Sequence, residues 1–280
     1  TGSAPYSPVN YDGKWHGNVS IRQALANSFN IPAVKLLQKI GLPAFLELAH
    51  NMGIKSLGTS SQYGLSLTLG GGEVTMLDMA TAYGTLANQG ERVNSNPILK
   101  ITDNRGNILE EKKEPEKIRV LPDGIAYIIS SILSDDLSRS WAFGSNSLLH
   151  IPNHTVAVKT GTTDDKKDNW TIGYTSQYVT AVWVGNNDNT PMNPSLVSGV
   201  TGAAPIWHTI MKNLLQGKPD ERFNKPKNVI EKFCAGRTEY FIAGTENTKD
   251  CNNRPFFRSP SPGNNRYNRY NYIPTIPAEN

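Results

Sequence analysis

Apolar residues recur every three or four positions through most of the first third of the chain, which predicts amphipathic helices. Ser20 and Gln23 have the spacing of a capping box at the start of the first helix. The helical pattern breaks at "NSFNIP", where Asn30 can cap a second helix that ends at Gly41. Ser28 and Asn30 are therefore predicted to lie at a junction between two helices.

Three more helices are predicted before the middle of the chain. The first lies between Pro43 and Gly53, and the second begins at Thr75 with Asp78 and runs to Gly90. The third is the apolar stretch "LPDGIAYIISSILSDDL". The first third of the chain is thus predicted to be mostly helical.

Alternating apolar and polar positions mark the strands. Two short strands are predicted in "ILKITDNRGNILEE", around an Asn-Arg-Gly-Asn turn. Three longer runs, "HTVAVKT", "NWTIGYT" and "YVTAVWVG", are joined by short turns and are typical of an antiparallel sheet. An amphipathic helix, "GAAPIWHTIMKNLLQG", follows them, so the fold class is α/β in the broad sense, of the α+β type.

The chain changes character near Lys218, where Pro, Asn, Arg and Tyr become frequent. We interpret residues 1–217 as one domain and residues 218–280 as a C-terminal extension that becomes disordered. The only cysteines, Cys234 and Cys251, lie in this extension. A disulfide between them, as in secreted proteins, is favoured over two free thiols, and would stabilise the chain by roughly 3 kcal/mol.

Composition excludes several classes of protein. With 280 residues, of which 38% are hydrophobic, the chain can bury a sizeable core. The formal net charge of +4 is mild and the charges are dispersed, so nucleic acid is not an expected partner. The chain contains no run of about 18 apolar residues and does not start with a signal peptide.

The stretch "VAVKTGTTDD" is the main candidate for chemistry, because a strand ends in Lys, Thr, Gly and Thr. It is not a phosphate-binding Walker loop, in which the glycines precede the lysine. His150 and His154 are spaced like a metal pair, but "HIPNH" contains a proline, and loop histidines are the better interpretation. No cofactor or metal site is predicted.

Two neighbouring features receive structural interpretations. The aromatic residues Trp170, Tyr174 and Trp183 alternate along predicted strands, so we expect them in the core more than in a substrate groove. The mixed charges of residues 164–168 are interpreted as a solvated turn.

Two motifs together are far more specific than either alone. Ser28-Phe29-Asn30 on a loop and Lys159-Thr160-Gly161 on a strand are two of the three elements of a known serine acyl-transfer site. Four longer stretches occur in the same order as in one family: "YSPVNYDGKWHGNVSIRQALANSFNIPAVKL", "LGGGEVTMLDMATAYGTLANQG", "VAVKTGTTDDKKDNWTIGYT" and "YVTAVWVGNND". From about Tyr6 to Gln216 the chain resembles the transpeptidase domain of class A penicillin-binding proteins.

The resemblance implies a fold and a reaction. The fold would be a five-stranded antiparallel sheet flanked by helices, related to β-lactamases and incomplete at its N-terminus. The reaction would cross-link peptidoglycan: a D-alanyl-D-alanine stem peptide acylates a serine, and an amine of a neighbouring stem takes the acyl group. The expected partners are these stem peptides and β-lactams, outside the cytoplasmic membrane of a bacterium, with membrane association only through an N-terminal anchor that this chain lacks.

The resemblance also implies roles for individual residues. Lys159 would face the terminal carboxylate of the substrate and favour proton transfer through Ser28, which would relay a proton to the leaving group. The hydroxyls of Thr160 and Thr162 would bind the same carboxylate, and the Thr162 N–H would be one oxyanion donor. Gly161 would keep the strand edge open to a peptide, and the Asn30 amide would orient the nucleophile's lysine and the donor amide.

One element of the family pattern is missing, because no serine in the chain has a lysine three residues later. The nucleophile and its activating lysine are therefore absent, and we expect a truncated, catalytically incompetent part of a transpeptidase. The alternatives are a non-catalytic module that binds peptidoglycan or a partner protein, and a relative of the serine β-lactamases or carboxypeptidases.

Overall fold

The computed structural model describes residues 6–112, 114–193, 201–247 and 251. Within this part of the chain the helices are α1 (Ile21–Ala26), α2 (Asn30–Ile40), α3 (Leu42–Asn51), α4 (Met76–Ala87), α5 (Asp123–Leu133), α6 (Asp136–Phe143) and α7 (Ala203–Leu215). The strands are β1 (Glu91–Val93), β2 (Lys100–Thr102), β3 (Ile108–Glu111), β4 (Lys117–Arg119), β5 (Ala157–Thr162), β6 (Asp168–Tyr174), β7 (Val179–Gly185), β8 (Val229–Cys234) and β9 (Arg237–Ile242).

The predicted N-terminal caps of α1 and α4 are confirmed. The Ser20 hydroxyl accepts a hydrogen bond from the Gln23 N–H, and the Gln23 side chain accepts one from the Ser20 N–H, which completes the capping box of α1. Thr75 caps α4 by accepting from the Asp78 N–H at 3.1 Å. Gly41 ends α2 with a φ of 81°, which a residue with a side chain rarely adopts. These local signals fix where each helix begins or ends.

The three predicted strands of the main sheet are also confirmed, in the antiparallel order β5-β6-β7. The described residues supply three strands to this sheet, fewer than the five that the resemblance implies. Two-stranded antiparallel pairs β1-β4, β2-β3 and β8-β9 lie apart from it. Of these, only β2-β3 follows from the sequence pattern.

Helices cover both faces of the main sheet. On one face, Trp207 and Met211 of α7 are fully buried against Val158 and Val182. On the other, Tyr174 is fully buried with Leu133 and residues of α4. Neighbouring residues of β5 point to opposite faces, so Lys159 lies on the Tyr174 face, and Thr160 and Thr162 lie on the α7 face.

Some interpretations of single residues need correction. Tyr174 is a core residue as predicted, whereas Trp170 and Trp183 are only half-buried. Asp168 is not part of a solvated turn: it begins β6, and its carboxylate accepts a hydrogen bond from Trp183 Nε1 at 2.9 Å. The interpretation of His150 and His154 as loop residues is confirmed, and His150 Nδ1 lies 2.6 Å from an Asp136 carboxylate oxygen.

The C-terminal extension contains a hairpin that the sequence pattern did not predict. Strands β8 and β9 pair from Val229↔Ile242 to Cys234↔Arg237. Cys234 forms a disulfide with Cys251, which confirms the favoured pairing. The predicted disorder concerns residues that lie mainly outside the described part of the chain.

Candidate active site

Ser28 lies in a tight helix end. The Ser28 N–H donates to the Leu25 carbonyl and the Phe29 N–H donates to the Ala24 carbonyl, which is the Schellman pattern that ends α1. Ser28 occupies the left-handed position of this motif, with a φ of 58°. Glycine is the usual residue there, because a side chain at positive φ costs conformational energy. The motif leaves the Ser28 hydroxyl pointing at the main sheet.

Lys159 meets that hydroxyl. Its Nζ donates to Ser28 Oγ at 2.6 Å and to the Thr160 carbonyl at 2.8 Å. The two predicted motifs, 131 residues apart along the chain, are thus in direct contact. The fold therefore brings the Ser-x-Asn and Lys-Thr-Gly motifs into one site.

The surroundings of Lys159 tune its charge. The side chain is half-buried, and burial removes water from around the ammonium. This desolvation lowers the pKa of Lys159 from 10.5 to about 8. Lys159 is therefore still mainly protonated at neutral pH, yet it can lose its proton more readily than an exposed lysine.

Asn30 does not act as the predicted cap of α2. It is the first residue of the helix, and the preceding Phe29 makes no capping hydrogen bond. The carboxamide of Asn10 does the capping instead, because its Oδ1 accepts from the N–H groups of both Asn30 and Ile31, at 3.0 and 3.2 Å. A cap contributed from 20 residues upstream leaves no local sequence signal.

The Asn30 side chain donates from Nδ2 to the Val9 carbonyl at 2.8 Å. Asn30 is thus tied to the segment that carries Asn10, two residues from the Ser28–Lys159 contact. Its expected role toward a second lysine stays a prediction.

The residues of β5 are arranged along a sheet edge, since β5 pairs only with β6 among the described strands. The Thr163 N–H, just past the strand, bonds to the Asp168 carbonyl. Backbone groups of a strand alternate in direction, so those of Thr160 and Thr162 point away from β6, toward the open edge. The Lys159 Nζ bond to the Thr160 carbonyl agrees with this direction. The edge can therefore pair with an extended peptide.

Gly161 is exposed in the middle of this edge. A methyl group added there would meet Trp170 Cβ at 3.6 Å, an ordinary van der Waals contact. The fold itself thus has room for a side chain at residue 161. A requirement for glycine at this position would come from whatever approaches the strand.

Among the described residues, no group of three or more His, Cys, Asp or Glu side chains is placed to hold a metal ion. None of the described helices has both the length and the apolar character needed to cross a membrane.

An edge strand that ends in Lys-Thr-Gly, with its lysine on the serine of a Ser-x-Asn turn, defines the fold class of the penicillin-recognising acyltransferases. The family model described as penicillin binding protein transpeptidase domain matches residues 1–212. The chain therefore belongs to the penicillin-binding protein transpeptidase family. The resemblance deduced from the motifs, to class A proteins, is confirmed.

Individual relatives agree with this assignment. The chain is 37% identical to penicillin-binding protein 1A of Aquifex aeolicus over 251 residues, which are 85% of this chain and 33% of that protein. It is 33% identical to penicillin-binding protein 1A of Neisseria lactamica over 241 residues, 85% of this chain and 29% of that protein. The chain thus spans about a third of the length of these curated relatives.

Solved structures show the same fold. The crystal structure of penicillin-binding protein 1A from Haemophilus influenzae has a TM-score of 0.76 at 27% identity, covering 87% of this chain and 43% of that one. PonA1 of Mycobacterium tuberculosis in complex with penicillin V has a TM-score of 0.69 at 26% identity, covering 80% of this chain and 65% of that one.

Proposed function

We propose that this chain forms the carboxylate-binding and proton-relay side of a peptidoglycan DD-transpeptidase site. In the complete reaction, a serine attacks the donor peptide bond, D-alanine leaves, and an amine of a second stem peptide takes the acyl group. The observation that carries the proposal is the 2.6 Å contact between Lys159 Nζ and Ser28 Oγ, at the open edge of β5.

Each group at this edge has a role that suits its chemistry. A carboxylate at the open edge of β5 is reached from both faces of the strand: the Lys159 ammonium attracts it from one face, and the hydroxyls of Thr160 and Thr162 donate to it from the other. Because the Thr162 N–H points toward the open edge, it serves as one oxyanion donor. Ser28 passes a proton between Lys159 and the leaving amine, and the lowered pKa of Lys159 makes this transfer easier.

β-Lactams carry a carboxylate and a strained amide that mimic the donor, so the same groups bind them. The complex of PonA1 with penicillin V supports this part of the proposal. The site works outside the cytoplasmic membrane of a bacterium, where peptidoglycan is cross-linked.

The chain alone binds but does not acylate. No Ser-x-x-Lys occurs among its 280 residues, so the nucleophile must come from elsewhere. The same absence favours, as a second candidate, a module that holds stem peptides without catalysis. Both candidates require the carboxylate site, and they differ only in whether a nucleophile is supplied to it.

The carboxylate site can be tested with one pair of ligands. Diacetyl-L-lysyl-D-alanyl-D-alanine and its C-terminal amide differ in the terminal charge. Each can be titrated into the isotopically labelled chain, with binding followed by NMR. We expect the chain to prefer the acid, and Lys159→Met to lose this preference by about ten- to a hundredfold, because a charge-assisted contact is removed.

Lys212→Met is the matched control, since it removes an exposed lysine of α7, which packs on the face of the sheet opposite Lys159. It should leave the preference unchanged. A Lys159→Met chain that still prefers the acid over the amide would contradict the proposal.

A further inference from the structure

Asn169 is a buried polar residue next to the proposed carboxylate site. It lies in β6 directly opposite Thr162 of β5, and its side chain is fully enclosed. Its Nδ2 donates to Thr162 Oγ1 at 3.0 Å, and its Oδ1 accepts from the Ala203 N–H at 2.7 Å. The carboxamide therefore joins the start of α7 to the end of the Lys-Thr-Gly strand.

The direction of these bonds is fixed by chemistry. The Ala203 N–H can only donate, so the carboxamide must turn its oxygen toward α7 and its nitrogen toward Thr162. Thr162 Oγ1 consequently accepts from Asn169, and the hydroxyl proton of Thr162 must point elsewhere. Within the part of the chain that the structure describes, that hydroxyl donates to no protein group.

The start of α7 packs tightly against the Asn169 carboxamide. A methyl group added at Gly202 would lie 2.5 Å from Asn169 Oδ1, so only glycine lets the helix start approach the carboxamide. The two strands hold the carboxamide from the other side, through the paired positions of Asn169 and Thr162. Asn169 therefore has little freedom to turn over.

We infer that Asn169 is a positioning residue that holds the Thr162 hydroxyl as a hydrogen-bond donor toward the carboxylate of the ligand. This inference rests on the proposed function, since it specifies how one group of that site is oriented. Asn169 itself is buried beneath the strand, and its proposed effect on the ligand passes through the Thr162 hydroxyl.

Asn169→Asp tests the inference because it keeps the shape and reverses one bond. The aspartate still accepts from the Ala203 N–H, but it now accepts from the Thr162 hydroxyl as well, which withdraws the proton from the ligand. In the same titrations, we expect Asn169→Asp to lower the affinity for the acid by about tenfold and to leave the affinity for the amide nearly unchanged. Thr162→Val should lower the affinity for the acid by a similar factor.

The double variant separates this mechanism from a direct effect of the added charge. If Asn169 acts through Thr162, the double variant with Asn169→Asp and Thr162→Val has the same affinity for the acid as Thr162→Val alone. An Asn169→Asp effect of the same size with and without Thr162→Val would overturn the inference, because the charge would then act directly. An unchanged acid preference in Asn169→Asp would overturn it too.

The unmodified chain tests the proposed function independently of the role of Asn169. A chain that binds the acid no better than the amide has no carboxylate site, and both proposals are then wrong. A chain that prefers the acid, with Asn169→Asp keeping the preference, refutes only the role of Asn169.

If the buried aspartate prevents folding, Asn169→Ala replaces it, since it introduces no charge. It leaves the Thr162 hydroxyl free to rotate, and we expect a smaller loss of acid affinity, about threefold, that again disappears in the Thr162→Val background. A loss that persists in that background would contradict the inference.

Discussion

At the scale of single residues, Ser28 has a backbone conformation that costs energy. A non-glycine residue at the left-handed position of a Schellman motif costs roughly 1 kcal/mol relative to glycine. The hydroxyl that contacts Lys159 offers a reason for keeping serine there. Strain of this kind is characteristic of functional sites.

Two variants isolate the backbone cost, because both remove the hydroxyl. We expect Ser28→Gly to have a free energy of unfolding about 1 kcal/mol higher than Ser28→Ala, since only glycine relieves the positive φ. Urea unfolding followed by circular dichroism measures the difference. Equal stability of the two variants would show that Ser28 is not strained.

Residues whose partners are distant in sequence were the hardest to predict. Ser28 and Lys159 were identified because each lies in a motif, and the fold joins them. Asn10 and Asn169 were missed, since the carboxamide of each also binds a distant backbone N–H, that of Asn30 for Asn10 and that of Ala203 for Asn169, 20 and 34 residues away. Asn30 was assigned a capping role because a local rule favours it, but Asn10 takes that role.

At the scale of elements, the β8-β9 hairpin is tied to the helix that leads to Ser28. Arg22 of α1 is buried and donates to Glu239 of β9 at 2.7 Å and to the Ser131 carbonyl at 2.9 Å. Arg237, at the start of β9, forms an ion pair with Asp135 and donates to the Ser138 hydroxyl. The extension is thus connected to α1 and to the start of α6.

The charge of Asp135 reflects this network. Burial alone would raise the pKa of its carboxyl, but hydrogen bonds from Ser138 and the charge of Arg237 outweigh it and hold the pKa below its ordinary value. Asp135 therefore stays ionised in the folded protein. Its contribution to stability is present above a pH near 4 and is lost as the pH falls further.

Two glutamates of the hairpin provide a matched comparison. Glu239→Gln weakens a partly buried pair with Arg22, so we expect it to lower the free energy of unfolding by about 2 kcal/mol. Glu231→Gln removes an exposed pair with Lys225 and should change it by less than about 0.5 kcal/mol. Urea unfolding of both variants measures this, and equal effects would support a domain that ends at residue 217.

The hairpin escaped prediction because composition dominated its neighbourhood. Pro, Asn and Arg are frequent beyond Lys218, and the alternation in "VIEKFC" is too short to stand out from that composition. The main sheet was predictable for the opposite reason, since its three strands are long, alternate clearly and follow one another closely.

At the scale of the whole molecule, the sheet holds the two halves of the site together. α7 packs on one face and α4 and α5 on the other, so β5 is fixed while its outer edge stays open. The helix junction then places Ser28 on Lys159 at that edge. We propose that this edge recognises the carboxylate of a donor peptide or β-lactam without forming an acyl-enzyme.

An NMR titration of the labelled chain with benzylpenicillin tests that claim most directly. We predict shifts of the Thr160, Gly161 and Thr162 amides that reverse on dilution, because the ligand binds at the β5 edge and no nucleophile attacks it. The proposal would be contradicted if these three amide signals did not shift, or if a stable adduct formed on Ser28 or any other residue.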